Sequence, residues 1–305
     1  MRICSFLPSA TEILYELGLG DSVVGVTHEC DFPSDASKKT VVVRSAFDTS
    51  KLTSEEINSM IVQCVREGKD IYVVDDNALR KANPDLIVAQ GLCEVCSPYM
   101  KELDRAMSIL DNKPKVIVLD PHDLDEILVS IEQVAKTVGR EKKGEEAVQA
   151  LRSRIEHVKS AAKNAKHTPK VLCIEWLDPI FTAGHWVPQM VELAGAINGV
   201  SKRGEPSRRM EWEEALEFDP DIIVLMPCGF DVERTMKELW RIEKQEGWKK
   251  LDAVKNKMVY ATDASSYFSR PGPRTVTGLE ILAKIIQPDL FSDLNVPEGS
   301  FRRIY

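Results

Sequence analysis

Short, unbroken apolar runs framed by turn residues alternate along this chain with longer stretches whose apolar side chains recur at helical spacing. Leu86-Ile87-Val88 follows Asn83-Pro84-Asp85 and breaks at Gly91, and Ile222-Ile223-Val224 follows Asp219-Pro220-Asp221 and breaks at Gly229. Runs that are apolar on both faces predict buried strands, and the proline ahead of each predicts the end of a preceding helix. The two segments read as copies of one another. Arg2-Ile3-Cys4-Ser5 and Lys170-Val171-Leu172-Cys173 open the two halves as strands, and Glu16-Leu17-Gly18 matches Glu192-Leu193-Ala194-Gly195 at the close of the next helix. Lys115 to Asp120 and Lys257 to Ala261 supply a third matched strand late in each half. Matched strands in the same order predict an internal duplication.

Strands alternating with helical stretches predict α/β lobes with mainly parallel sheets covered on both faces. Between the halves, Leu124 to Lys166 lacks proline, and its later part carries Ala147, Leu151, Ile155 and Val158 at helical spacing. A helix of about 20 residues spans roughly 30 Å. The expected organisation is therefore an N-terminal Rossmann-like lobe (1–122), a connecting helical region (123–167) and a similar C-terminal lobe (168–305), with a cleft between the lobes as the working site.

Length agrees with this division, since single cores rarely grow beyond about 250–300 residues and the chain has 305. A formal charge of −8 argues against nucleic acid as partner, which calls for a basic face. The opening run Met1 to Leu7 is too short for the core of a signal peptide, and nothing approaches the roughly 18 apolar residues of a membrane span. From these signals a cytoplasmic protein without membrane insertion is expected, a monomer or weak dimer. Seven cysteines do not read as a disulfide framework. Cys4, Cys64 and Cys173 fall in apolar patterns as core residues, leaving Cys30, Cys93, Cys96 and Cys228 for chemistry.

In open parallel sheets ligands bind beyond the carboxyl ends of strands. The residues expected there in the first half are Ser9 and Thr11, then His28, Glu29 and Cys30, then Gln90 to Cys96, then Asp120 to His122. In the second half they are Glu175 and Trp176, His185 and Trp186, Cys228 to Phe230, and Asp263 through Arg274. Ser9 and Thr11 stand where a helix begins, as caps or beside amides that could face an anion. Cys93 and Cys96 form a Cys-x-x-Cys that, with Cys30 and His28 at a neighbouring strand end, suits zinc or an iron–sulfur cluster, or else a redox dithiol. Cys228 and His185 are further candidates for that set. Arg208 and Arg270, with Arg209 and Arg274, lie in loops rich in glycine and proline, where arginine either clamps an anionic group or pairs with Glu175 or Asp263.

Leu7-Pro8-Ser9-Ala10-Thr11-Glu12-Ile13-Leu14-Tyr15-Glu16-Leu17-Gly18, the strand around Gly25-Val26-Thr27 and the Asn-Pro-Asp-Leu-Ile-Val segment resemble the backbone-helix class of solute-binding proteins. These serve ABC importers of cobalamin, haem and iron–siderophores. Thr27-His28-Glu29-Cys30, Leu92-Cys93-Glu94-Val95-Cys96, Glu175-Trp176-Leu177-Asp178-Pro179, Ala183-Gly184-His185-Trp186 and Pro227-Cys228-Gly229-Phe230 resemble its cobalamin-binding-protein-like branch. The resemblance implies a binding protein holding a corrinoid or other metal-containing ligand, with His185 approaching the metal or a corrin side chain and Trp176, Trp186 or Phe230 packing on the macrocycle. Ser9, Thr11, Glu175, Arg208, Asp263 and Arg270 complete that ligand-binding set. An ABC transporter is the implied partner of an exported relative. The alternative drawn from Cys30, Cys93 and Cys96 is a cytoplasmic metal or iron–sulfur protein, with an enzymatic role left open. No Gly-x-Ser-x-Gly elbow, Walker loop or His-Glu-x-x-His helix occurs, so no hydrolytic or nucleotide chemistry is read.

Overall fold

The computed structural model describes residues 1–91 and 99–305. The chain divides into two compact units. The first comprises Met1–Leu52, Glu56–Pro121 and Glu126–Gln149, and the second Thr53–Glu55, His122–Asp125 and Ala150–Tyr305.

The first unit is built on a six-stranded sheet. Its strands are β1 (Ile3–Ser5), β2 (Val23–Thr27), β3 (Val41–Ser45), β4 (Tyr72–Val74), β5 (Leu86–Gln90) and β6 (Lys115–Leu119), in the order β4-β3-β2-β1-β5-β6. All pairings are parallel except β3 with β4. Its helices are α1 (Pro8–Glu16), α2 (Ser54–Glu67), α3 (Asp76–Ala82), α4 (Tyr99–Ile109), α5 (Leu124–Thr137) and α6 (Glu141–Ala162). Three of these six cross the boundaries of the unit: α2 and α5 begin in the second unit and end in the first, and α6 begins in the first and ends in the second. Gly139, at φ +67°, closes the stretch that follows α5, so the proline-free region forms two helices. The 22-residue α6 is the long one that carries the chain from one unit to the other.

The second unit contains β7 (Lys170–Leu177), β8 (Ile180–Thr182), β9 (Ile197–Asn198), β10 (Arg208–Arg209), β11 (Ile222–Leu225), β12 (Val259–Thr262) and β13 (Phe301–Arg303). The order is β10-β8-β7-β11-β12-β13, with β9 beside β7. Around it lie α7 (Val187–Leu193), α8 (Trp212–Phe218), α9 (Val232–Glu238), α10 (Trp240–Glu243), α11 (Asp252–Lys255), α12 (Ala264–Tyr267) and α13 (Thr275–Ile286). Parallel pairing is confined to β9, β7, β11 and β12, and β8, β10 and β13 join antiparallel. The two lobes therefore diverge on one side of the opening strand. Asp178 and Pro179 link β7 to β8 in a hairpin with Leu177 opposite Ile180, and a two-residue link permits only antiparallel neighbours.

The duplication is exact in its local chemistry at one place. Asn83 and Asp219 end α3 and α8 in the left-handed region, at φ 40° and 43°, a conformation that Asn and Asp tolerate better than other side chains. Their N–H groups return to Leu79 O and Ala215 O at 2.9 and 3.0 Å. Pro84 and Pro220 forbid a further turn. Asp85 Oδ2 then accepts from Arg2 N at 2.7 Å, and Asp221 Oδ2 from Lys170 N at 2.8 Å. The side chains of Arg2 and Lys170 in turn donate to the final helix carbonyls, Ala82 O and Phe218 O, both at 2.8 Å. One motif thus docks a helix end, a central strand and the first strand of each half in register, Ile3 with Leu86 and Val171 with Ile222.

The central strands β1, β5, β11 and β12 bury both faces, as their continuous apolar character requires. Cys4, Val42, Leu79, Ile87 and Ala106 pack in the first unit, and Leu172, Ile174, Trp212, Ile223, Trp248 and Val259 in the second. Burial pushes the thiols of Cys4 and Cys173 up to about 12, leaving both as unreactive core groups, whereas Cys64 is only partly buried.

Candidate functional site

In each sheet the chain leaves the opening strand to one side and returns on the other, so β1 and β5, and likewise β7 and β11, flank a switch point. Crevices form there beyond the carboxyl ends of the strands. In the second unit this position holds Glu175 and Trp176 at the end of β7 and Cys228, Gly229 and Phe230 after β11, tied together by Cys228 N donating to Glu175 O at 3.0 Å.

Trp176 is half-buried and Phe230 is buried, their rings meeting edge-on with centroids 5.4 Å apart. The guanidinium of Arg234, from the first turn of α9, lies 3.9 Å from the centroid of Phe230. Burial draws the Arg234 pKa down, and Glu238 and Asp231 oppose that shift. The indole Nε1–H of Trp176 donates to Ser54 O at 3.2 Å, fixing the ring plane. Ser54 is held in turn by Glu238, whose Oε2 accepts from Ser54 N at 2.8 Å and from its hydroxyl at 2.5 Å. Arg241, almost fully buried, brings Nε to 3.0 Å from the same oxygen and pairs with Asp178 at 2.7 Å and Glu55 at 3.1 Å. An aromatic pair capped by a cation, with its supporting ion network, stands at the switch point of this sheet.

A second group surrounds His185. Gly184 packs against the backbone of Pro206 and Ser207 so closely that a Cβ would come within 2.3 Å of Ser207 N. His185 takes φ +53°, with its N–H on Glu205 O at 2.6 Å and its carbonyl accepting from Gly204 N at 3.0 Å. Its ring lies 5.9 Å from that of His122 and 5.6 Å from that of Trp186. Glu175 Oε2 accepts from the Ser207 hydroxyl at 2.6 Å, so this carboxylate braces the loop that carries His185.

Several residues singled out by sequence do other work. Trp186 is buried and donates to Phe268 O at 2.9 Å, which makes it a core anchor. Arg208 forms a two-pronged pair with Glu214, at 3.1 and 2.6 Å. Asp263 caps α12 by accepting from Ser266 N at 3.0 Å, and Arg270 reaches the Ser265 hydroxyl at 3.2 Å. At α1 the cap position is Leu7, with no side-chain cap. Ser9 Oγ is buried and makes no hydrogen bond, and Thr11 donates to Cys30 Sγ at 3.1 Å. Neither Ser9 nor Thr11 caps the helix, because Pro8 already occupies its first turn.

The expected cysteine-centred metal set does not assemble among the described residues. Cys30 Sγ is buried and receives Thr27 N at 3.3 Å, with the Thr27 hydroxyl 3.2 Å away. His28 is exposed, its ring 6.3 Å from that of Tyr72. β2 ends at Thr27, and in the turn that follows, closed by Cys30 N donating to Thr27 O at 3.2 Å, Cys30 turns into the core while His28 faces solvent. Cys228 lies in the second unit, and Cys93 and Cys96 lie outside the described residues. Among the described residues no group of three or more His, Cys, Asp or Glu side chains is placed to hold a metal ion. Arg234, Glu238, Arg241 and His122 were missing from the sequence-based site. Three of them sit on helices with no motif of their own, and His122 was placed at a strand end without a role.

Comparison with known proteins bears on the same architecture. The family model described as periplasmic binding protein matches residues 3–266. A substrate-binding lipoprotein of an ABC transporter from Bacillus subtilis, YvrC, is 29% identical over 96% of this chain and 82% of its own length. The vitamin B12-binding protein of Vibrio cholerae is 26% identical over 92% of this chain and 86% of its own. Among solved structures, a possible iron-binding, periplasmic solute-binding protein from Staphylococcus epidermidis superposes with a TM-score of 0.70 at 26% identity, covering 94% of this chain and 98% of that one. The vitamin B12-binding protein of V. cholerae shares the fold with a TM-score of 0.67 at 22% identity, covering 96% and 98%.

These findings overturn the expectation of a cytoplasmic protein. The family is periplasmic and the B. subtilis relative a lipoprotein, which points outside the cytoplasm. The opening apolar residues led elsewhere because they form β1, and a buried strand carries no information about compartment. Among the described residues no helix is long and apolar enough to cross a membrane.

Proposed function

The chain belongs to the periplasmic binding protein family, and from that premise we propose that it captures a corrinoid for an ABC importer, outside the cytoplasm. The Trp176–Phe230–Arg234 stack carries this reading. A large, flat, partly apolar ligand with polar substituents is matched by an indole held through its Nε1–H and a guanidinium lying over Phe230, and aromatic faces bury much area at little entropic cost. Vitamin B12-binding relatives spanning nearly the whole chain support a corrinoid as that ligand. His185, with its backbone pinned on both sides, would bring an imidazole toward the ligand's metal or side chains. Asp263, at the end of the neighbouring strand β12, and Arg270 would form its rim while keeping the local contacts described above.

The experiment is a titration of tryptophan fluorescence with cyanocobalamin. Saturable quenching is expected, with affinity up to about tenfold weaker in Trp176→Ala, since a stacking contact of this kind is worth about 0.5–1.5 kcal/mol. No quenching at saturating cobalamin refutes the corrinoid reading. A second reading, haem, is favoured by the His122–His185 pair, because imidazole is a standard axial ligand of haem iron. Haemin binding with a Soret shift, lost in His185→Ala and unaccompanied by cobalamin quenching, would decide for it.

A further inference from the structure

Away from this site, the first unit has a cavity of about 330 Å³ between β4 and α4, at the small end of the range that holds small ligands. Tyr72 and the two valines of β4 line it, together with Asp70, Asp76, Lys101, Glu102 and Arg105. Glu102 is the unusual member. It is 6% exposed, and its Oε1 is buried without a hydrogen-bond partner. Buried polar atoms in folded proteins are almost always paired, and one that is not calls for a physical explanation.

The charges around it identify what is missing. Lys101 is committed to Asp70 at 3.0 Å and to Gly68 O at 3.0 Å. Arg105 is committed to Asp76, with Nε donating to Oδ1 at 3.0 Å. Each lining cation is therefore already matched by a lining carboxylate, and Glu102 is the one acid left over. The pocket as a whole carries a single surplus negative charge when Glu102 is ionised, beside an apolar wall from β4. Burial pushes the Glu102 carboxyl up to about 7, with its own backbone N–H and Lys101 opposing and Asp70 reinforcing the shift, so near neutrality the group is poised between its two forms.

We propose that this cavity is a binding site for a small primary-ammonium or guanidinium compound, whose cation pairs with Glu102 and whose short apolar stem lies against β4. The complement to one surplus charge is a monocation; a dication or an anion would leave charge unmatched. The site is independent of the corrinoid reading, since every lining residue belongs to the first unit and none is in the Trp176 group.

The test is a titration of the full chain with propylammonium and, separately, guanidinium, followed by amide shifts in two-dimensional NMR in amine-free phosphate buffer. Saturable shifts are expected at Val73, Val74 and the Lys101–Arg105 turn, with a Kd of about 1–10 mM, as for a single charge-assisted contact. Affinity should rise about tenfold from about pH 6 to about pH 8, in step with the ionised fraction of Glu102. Glu102→Gln should abolish the shifts, while Asp104→Asn, an exposed neighbour on the same helix, should retain them. Shifts that persist in Glu102→Gln, affinity that is flat with pH in the unaltered protein, or no saturable shift at about 100 mM amine would each overturn the proposal. The pH profile needs no variant, so a folding defect in Glu102→Gln would leave the test intact.

Discussion

Replacing Glu102 by glutamine should make the protein more stable at alkaline pH and leave it nearly unchanged in acid. The carboxyl is raised from 4.5 to about 7 by burial, so between those values the native state holds a proton that the unfolded chain has released. Stability then falls as pH rises through this window, since it rises with pH only where the unfolded state binds more protons. Each pKa unit corresponds to 1.36 kcal/mol, so the full shift is worth up to about 3 kcal/mol of lost stability above pH 7. Glutamine keeps the shape and cannot ionise, so it avoids this loss. Urea unfolding of both proteins near pH 4.5 and near pH 8, without amines, gives the double difference directly. Gains of about 2–3 kcal/mol near pH 8 and under about 0.5 near pH 4.5 are expected. Equal differences at both pH values would refute the account, because they would show that Glu102 keeps an ordinary carboxyl in the folded state. Far-UV dichroism and tryptophan fluorescence should be followed together, because two compact units need not unfold as one.

Three further outcomes follow from the second unit. Glu238→Ala removes the acceptor of both Ser54 donors and one partner of buried Arg241; a loss of about 3–5 kcal/mol in urea unfolding is expected, together with a red-shifted Trp176 emission as its carbonyl partner loosens. Gly184→Ala drives a methyl into the Ser207 backbone and should cost about 1–3 kcal/mol, read as a lower Tm in calorimetry. Arg208→Ala breaks an exposed pair with Glu214 and exposed hydrogen bonds to Val200 O and Arg209 O, so it should change stability by under about 1 kcal/mol and leave cobalamin quenching as it was; a lost ligand response would restore Arg208 to the site.

Much of the architecture was legible in the chain because it is written in local chemistry. An Asx-Pro-Asp segment ahead of an apolar run determines a helix end, a stop and a buried central strand wherever it occurs, and its two copies announced two similar lobes and their first registers. The glycine and proline framing of each strand likewise located the strand ends, and with them Glu175, Trp176, His185 and Phe230. What lay beyond reach was decided by tertiary packing. The hairpin at Asp178-Pro179 turned what the duplication implied should be a parallel neighbour into an antiparallel one. Trp186 and Trp176 look alike in sequence, yet one indole is sunk in the core on Phe268 while the other stands at the switch point. Arg208 is spent on Glu214, six residues along, whereas Arg234 and Arg241, featureless on their helices, meet Phe230 and three carboxylates. Cys30 and His28 are near neighbours in the chain, but the turn after β2 buries one and exposes the other, so spacing suggested a ligand set that the turn separates. Local sequence determines backbone conformation through short-range sterics and hydrogen bonds; which side chains meet depends on contacts between residues far apart in the chain, and those exist only once the sheets have formed.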